Sequence, residues 1–206
     1  VTSEGVLEGD LVIVGSGDPS LGAWHPDERH DSRWLLDEWV AGIRAAGIRR
    51  ISGDIIGDGR CFTPDYYCES WNYGDLPYWY AAGTSGLAIE ENCFRCVIKP
   101  GAKVGDPASI EINPKTDYIR VINQTRTVEA GGPNTADSTW HETEGNTVRF
   151  VGTIALDEKA INERGSVWDG PRYAAWLLAE ELRRQGIESG GEAVNLRSLP
   201  DAGRID

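Results

Sequence analysis

The apolar positions of this chain change period twice along its length. Near the start, Leu11-Val12-Ile13-Val14 is an unbroken apolar run closed by Gly15, which predicts a buried strand. Leu36, Trp39, Val40 and Ile43 then recur at i, i+3, i+4 and i+7, one face of a helix that begins after Asp31, with Ser32 available to cap it. Gly47 stops that helix, and Ile51–Ile56 reads as the next strand. The last fifth of the chain repeats the logic. Pro171 stands at a helix start, where its missing N–H costs nothing. Ala175, Leu178, Ala179 and Leu182, widened by Ala174 and Leu177, form the apolar face, and Gly186 ends the helix. The two helix exits are alike: Gly47-Ile48 through Gly53-Asp54, and Gly186-Ile187 through Gly191-Glu192. Two similar helix-to-strand units at opposite ends predict one α/β domain.

Between them the helical period vanishes. Leu87–Ile89, Val97–Lys99, Ser109–Ile112, Tyr118–Ile122 and Thr147–Ile154 read as short strands punctuated by Pro and Gly. The expected architecture is a discontinuous α/β domain over residues 1–62 and 155–206, with an aromatic loop and a small inserted all-β domain over 63–154.

Composition narrows the function classes. With 40% hydrophobic and 26% charged residues a packed core is expected rather than disorder. No apolar run reaches the length of a membrane span, so no membrane insertion is expected. A net charge of −13 argues against nucleic acid and against anionic lipid as partners. Met is absent and residue 1 is Val, so the chain reads as processed or excised from something longer.

Candidate chemistry is sparse. Cys61, Cys68, Cys93 and Cys96 are disulfide candidates if the chain is exported, with thiols the next reading. Metal binding is not expected, because the spacing of Cys61 and Cys68 is too wide for a zinc knuckle and the His25/His30/Asp31 group fits no common site. Gly15-Ser16-Gly17-Asp18-Pro19 follows a strand, as a phosphate loop does, but lacks the third glycine and the Gly-Lys-Ser/Thr. A structural turn with Asp18 bonding local backbone is the favoured reading. No cofactor is expected. The unusual stretch is Trp71-Asn72-Tyr73-Gly74-Asp75-Leu76-Pro77-Tyr78-Trp79-Tyr80, with five aromatics in ten residues. Such a wall with a few polar groups suits a ligand with an apolar stem and a polar tip, and equally suits a plug over a domain junction.

Taken in order, these stretches resemble one family. Gly9-Asp10-Leu11 through Gly17-Asp18-Pro19-Ser20-Leu21 is similar to the entry segment of the class C low-molecular-mass penicillin-binding proteins, which are D-Ala-D-Ala carboxypeptidases and endopeptidases. Gly47–Asp58, Trp71–Tyr80, Leu87–Phe94, Val151–Ile154 and Pro171–Gly191 continue the likeness over nearly the whole chain. The resemblance implies a Rossmann-like α/β domain with a β-sandwich or barrel-like domain inserted in it, itself inserted in a serine-peptidase domain. It implies an extracytoplasmic setting and, as partners, the peptidoglycan stem peptide and the remainder of the catalytic domain. It also implies substrate-binding roles for Trp71, Asp75, Trp79 and Tyr80, and for Asn92 and Phe94. The family's Ser-x-x-Lys, Lys-Thr-Gly and a usable Ser-x-Asn are missing, since Ser70-Trp71-Asn72 falls inside the aromatic loop. No catalytic residue is therefore expected in these residues, and the chain reads as the nested insert between two catalytic motifs. The competing class is a non-enzymatic extracytoplasmic wall-binding or adhesion module.

Overall fold

The computed structural model describes residues 1–22, 32–140 and 145–200. His25, His30 and Asp31, weighed above as a metal group, lie outside the described residues. The chain divides into two compact units. One comprises Val1–Cys68, Gly83–Asn92 and Asp169–Asp206, the other Glu69–Ala82 and Cys93–Trp168.

The first unit is built on three parallel passes of the chain. Strands β1 (Val6–Leu7) and β2 (Leu11–Val14) are followed by helix α1 (Ser32–Ala45), then by β3 (Arg50–Ile51) and β4 (Ile55–Asp58). Ile51–Ile56, expected as one strand, is thus two. β1 pairs with β3 and β2 with β4, both in parallel. The interruption is chemical. Asp54 N–H donates to the Asp10 carboxylate at 2.8 Å, and Glu192 N–H donates to the Asp54 carboxylate at 2.8 Å. At this row side-chain carboxylates take the backbone donors that a continuous ladder would give to carbonyls.

The third pass comes from the far end of the chain. Helix α2 (Gly170–Arg184) leads into β11 (Glu188–Ser189) and β12 (Ala193–Asn195), which pair in parallel with β3 and β4. The two look-alike helix exits are therefore neighbours, with the 47–58 pass in the middle. Both helices form where the period predicted them. Leu36 and Val40 of α1 are buried, with Trp39 and Ile43 half-buried beside them. α2 buries Tyr173, Ala174, Ala175, Leu177, Leu178 and Leu182. Asp169 caps α2 by accepting the Arg172 N–H at 3.2 Å, and Pro171 lies in its first turn.

The second unit contains strands and short 3₁₀ turns. β5 (Cys93–Lys99) lies between β6 (Ser109–Asn113) and β10 (Ile161–Ser166), antiparallel to both. β9 (Thr147–Ala155) lies between β7 (Arg120–Val128), parallel to it, and β8 (Asp137–Trp140), antiparallel. Phe94, Ile98, Phe150 and Ile154 are fully buried. β10 follows residue 154, where the β region was expected to close. Its ladder with β5 is what holds it in this unit.

Leu87–Ile89, expected as a strand, is not one. It is buried irregular backbone running into Glu90, Glu91 and Asn92, with φ of +53°, +58° and +53°. Three successive non-glycine residues in the left-handed region cost about 1–2 kcal/mol each. Local bonds hold them: Glu90 N–H donates to Leu21 C=O at 3.0 Å, and the Ser32 hydroxyl donates to the Glu90 carboxylate at 2.5 Å.

Candidate functional site

The aromatic stretch lies in the second unit and exposes several of its rings. Pro77 and Tyr78 carry it along β10. Tyr78 bridges Gly165, Ser166 N–H donates to Pro77 C=O at 2.9 Å, and the Ser166 hydroxyl donates to Leu76 C=O. Gly165 is required there, because a Cβ would fall 2.3 Å from the Phe94 ring. Two 3₁₀ turns, Tyr73–Asp75 and Trp79–Ala81, then turn the rings outward. Tyr73, Trp79 and Tyr80 are 62%, 51% and 52% exposed, an uncommon clustering for three large aromatics.

The rings are ordered by one another and by carboxylates. Tyr78 and Tyr80 stack with centroids 5.5 Å apart, and Trp79 meets Tyr80 edge-on at 6.0 Å. The Arg164 guanidinium sits 5.3 Å over the Trp79 ring. Asp75 accepts from the Tyr80 hydroxyl, the Asn72 N–H and the Asn72 amide, each at 3.2 Å. The Tyr78 hydroxyl donates to Asp137 at 3.2 Å. Asp137 raises the Tyr78 phenol above its ordinary value by Coulomb repulsion of the phenolate, and partial burial adds to that. Glu163 on β10 is a further carboxylate of this region, raised by burial and then by Asp137. Beneath it Cys96, its ladder partner, is a buried thiol pushed up to about 12 by burial and by Glu163.

Of the residues expected to bind substrate, Asp75, Trp79 and Tyr80 come together here, and Trp71 is half-buried at the start of the same loop. Phe94 is 1% exposed, packed against Gly165 under the loop. Asn92, in the first unit, is 2% exposed. Its amide donates to Gly83 C=O at 2.8 Å and to the Ser85 hydroxyl at 3.3 Å, and it packs against Gly170, where a Cβ would fall 2.4 Å from it. Both side chains act by packing rather than by presenting a surface. Tyr78, Asp137, Glu163 and Arg164 were not picked out from sequence. Tyr78 lay in plain view inside the aromatic run, but the other three arrive on β8 and β10.

In the glycine-rich turn of the first unit two backbone donors are already bonded to carbonyls. Gly15 N–H donates to Asp58 C=O and Gly17 N–H to Gly86 C=O, both at 2.8 Å. A Cβ at Gly15 would fall 2.3 Å from the Gly86 carbonyl oxygen, so this glycine serves close backbone approach, while Gly17 has a φ of +89°. Asp18 accepts from the Ser20 N–H and hydroxyl at 2.8 and 2.6 Å, which lowers its carboxyl below the ordinary value. All four cysteines are thiols in this structure: Cys61 and Cys68 exposed, Cys93 and Cys96 buried. The Cys-x-x-Cys lies wholly within β5. Its two side chains point to opposite faces with α-carbons about 10 Å apart, too far for a bridge.

Comparison with known proteins agrees with the fold. The model of the D-Ala-D-Ala carboxypeptidase 3 (S13) family matches residues 1–204, and the chain belongs to that family. It is 27% identical over 197 residues to the D-alanyl-D-alanine carboxypeptidase of Actinomadura sp. (strain R39), covering 93% of this chain and 34% of that protein. It is 24% identical over 201 residues to the D-alanyl-D-alanine carboxypeptidase DacB of Haemophilus influenzae, covering 98% of this chain and 40% of the other. The crystal structure of penicillin binding protein 4 (dacB) from Haemophilus influenzae superposes with a TM-score of 0.72 at 22% identity, over 95% of this chain and 41% of that one. A second crystal structure of that protein, complexed with a novel β-lactam, gives 0.62 at 21% identity, over 94% of this chain and 39% of that one. The chain thus spans about a third to two fifths of the length of these relatives.

Proposed function

We propose that this chain forms the accessory, substrate-facing part of a serine-type D-Ala-D-Ala carboxypeptidase or endopeptidase acting on peptidoglycan stem peptides outside the cytoplasm. The observation that carries the reading is the exposed Trp79–Tyr80 pair set beside a carboxylate, Asp75, in a chain matched to this family along residues 1–204. An aromatic wall with carboxylates at its rim suits a peptide side chain that has an aliphatic stem and a cationic tip. The stem packs on the rings, and the tip meets Asp75 with support from Asp137 and Glu163. On this reading the first unit is the Rossmann-like domain, for which the three parallel passes and two helices speak, and the second is the inserted β domain.

The chain itself carries no Ser-x-x-Lys, so it supplies recognition and no acyl transfer. Incubated with a fluorescent penicillin, it is expected to stay unlabelled. A serine-linked adduct would contradict the assignment. In a protein that contains this chain together with the peptidase motifs, Trp79→Ala and Asp75→Asn are each expected to lower kcat/KM for a stem peptide with a cationic side chain about tenfold. A neutral side-chain analogue should respond little to Asp75→Asn. Unchanged kcat/KM in both variants sinks the recognition role.

A further inference from the structure

Three consecutive residues of β10 hold the aromatic loop, and they do so in different ways. Gly165 forms the bridge to Tyr78, and Ser166 donates its N–H to Pro77 C=O and its hydroxyl to Leu76 C=O. These two fix the backbone of the loop. Arg164 instead reaches a ring, with its guanidinium over Trp79 and 5.3 Å from the ring centre. Arg164 is half-buried on a strand laddered to β5, so its guanidinium is carried by the sheet and not by the loop. Its ladder partner is Arg95. Like charges opposite each other on neighbouring strands repel, which favours turning one guanidinium to the negative face of a ring. Trp79 gains from such a neighbour. It stands half-exposed on a 3₁₀ turn of three residues, and Tyr80, which it meets edge-on, is half-exposed as well. An exposed ring that must first be ordered lowers the affinity of whatever packs on it, and a ring ordered in advance does not.

We propose that Arg164 is the positioning residue of the aromatic wall: through its cation–π contact it fixes Trp79 in the orientation that receives the substrate's side chain, without itself touching substrate. This role rests on the recognition function proposed above. Arg164 also has an opposed effect, because its charge repels a cationic tip. That tip is assigned to Asp75, which bonds the Tyr80 hydroxyl, whereas Arg164 lies over Trp79. The two charges thus sit at different rings, where solvent and counter-ions weaken the repulsion. Positioning outweighs repulsion, and the two effects have opposite signs in an experiment that removes the guanidinium.

The test has two arms. In the first, the chain is labelled with 5-fluorotryptophan, and the Trp79 line of its fluorine NMR spectrum is assigned with Trp79→Phe. Arg164→Gln should move that line. Arg164→Lys should move it less, because an ammonium keeps a charge over the ring but loses the flat stacking surface. The lines of Trp39 in α1 and Trp168 in the second unit should stay in place in both variants, which reports that each unit keeps its fold. In the second arm, a protein that contains this chain together with the peptidase motifs is given N-acetyl-Lys-D-Ala-D-Ala, once with the side-chain amine free and once with it acetylated. Arg164→Gln should raise KM about three- to tenfold for both peptides at unchanged kcat, with Arg164→Lys between it and the parent. A Trp79 line that stays put in Arg164→Gln overturns the proposal. So does a lower KM for the free-amine peptide, since Arg164 would then act as a repelling charge. An unchanged KM in Arg164→Gln beside a raised one in Trp79→Ala overturns the positioning role alone. If Trp79→Ala leaves kcat/KM unchanged although the Trp79 line has moved in Arg164→Gln, the recognition function fails and this role with it.

Discussion

Gly57 shows how much of this fold rests on single small residues. It lies in β4, the middle pass of the first unit, under the start of α2. A Cβ there would fall 2.0 Å from the Pro171 carbonyl oxygen and 2.6 Å from its carbon. Those are backbone atoms held by the first turn of a well-buried helix, so they cannot move aside as a flexible side chain would. Gly57→Ala must either lift the N-terminus of α2 or bend β4, and overpacking of this kind costs about 1–3 kcal/mol. We expect the variant to unfold at a lower urea midpoint with the slope unchanged. Gly74, where a Cβ meets nothing within 4 Å, is the control, and Gly74→Ala should lie within about 0.5 kcal/mol of the parent. Equal midpoints for the two variants would show that α2 does not approach β4 this closely.

At the scale of elements, charge rather than space sets the next limit. β8 and β10 bring Asp137 and Glu163 near each other, and burial followed by Asp137 raises the Glu163 carboxyl above its ordinary value. A raised acid is destabilising once ionised. Its favourable share is complete below the unfolded value near 4.3 and is lost as pH rises through the higher folded value. Glu163→Gln should therefore raise Tm at pH about 7 and leave it unchanged at pH about 3.5, where both side chains are neutral. A Tm rise of equal size at both values would mean that shape, not charge, is responsible. The same elements mark what the sequence made legible. Both helices were readable because period, start and stop act within a few residues, as at Pro171 and Gly186. The break in Ile51–Ile56 was not, because the carboxylates that cause it sit on Asp10 and Asp54 and act across neighbouring passes. Leu87–Ile89 looked like a strand because burial alone makes an apolar run, and the left-handed turn after it leaves no periodic trace. The site divides in the same way. Asp75, Trp79 and Tyr80 are close in sequence and were found together, while Asp137, Glu163 and Arg164 reach the loop only through ladder register and an aromatic face.

At the scale of the whole molecule, 33 acidic residues face 20 basic ones, and the net charge of −13 opposes compaction. Added salt has two opposed effects. It screens that repulsion, and it also weakens ion pairs such as Arg184 with Glu181 and Asp37, and Arg60 with Asp58. The sign follows from magnitude and exposure. The Arg184 side chain is 52% exposed, and pairs of that kind contribute about 0–1 kcal/mol each. The unmatched carboxylates repel one another over distances at which a Debye length of about 10 Å at 0.1 M already removes most of the interaction. Screening should win. Tm is expected to rise as NaCl goes from about 0.02 M to about 0.5 M, with most of the gain below about 0.15 M, where the Debye length shrinks through the spacing of surface charges. Lowering the pH toward the carboxylate range reduces the same repulsion, so the salt response should fade there. A Tm that falls with NaCl at neutral pH would mean that the local pairs, rather than the acidic excess, dominate the electrostatics of this chain.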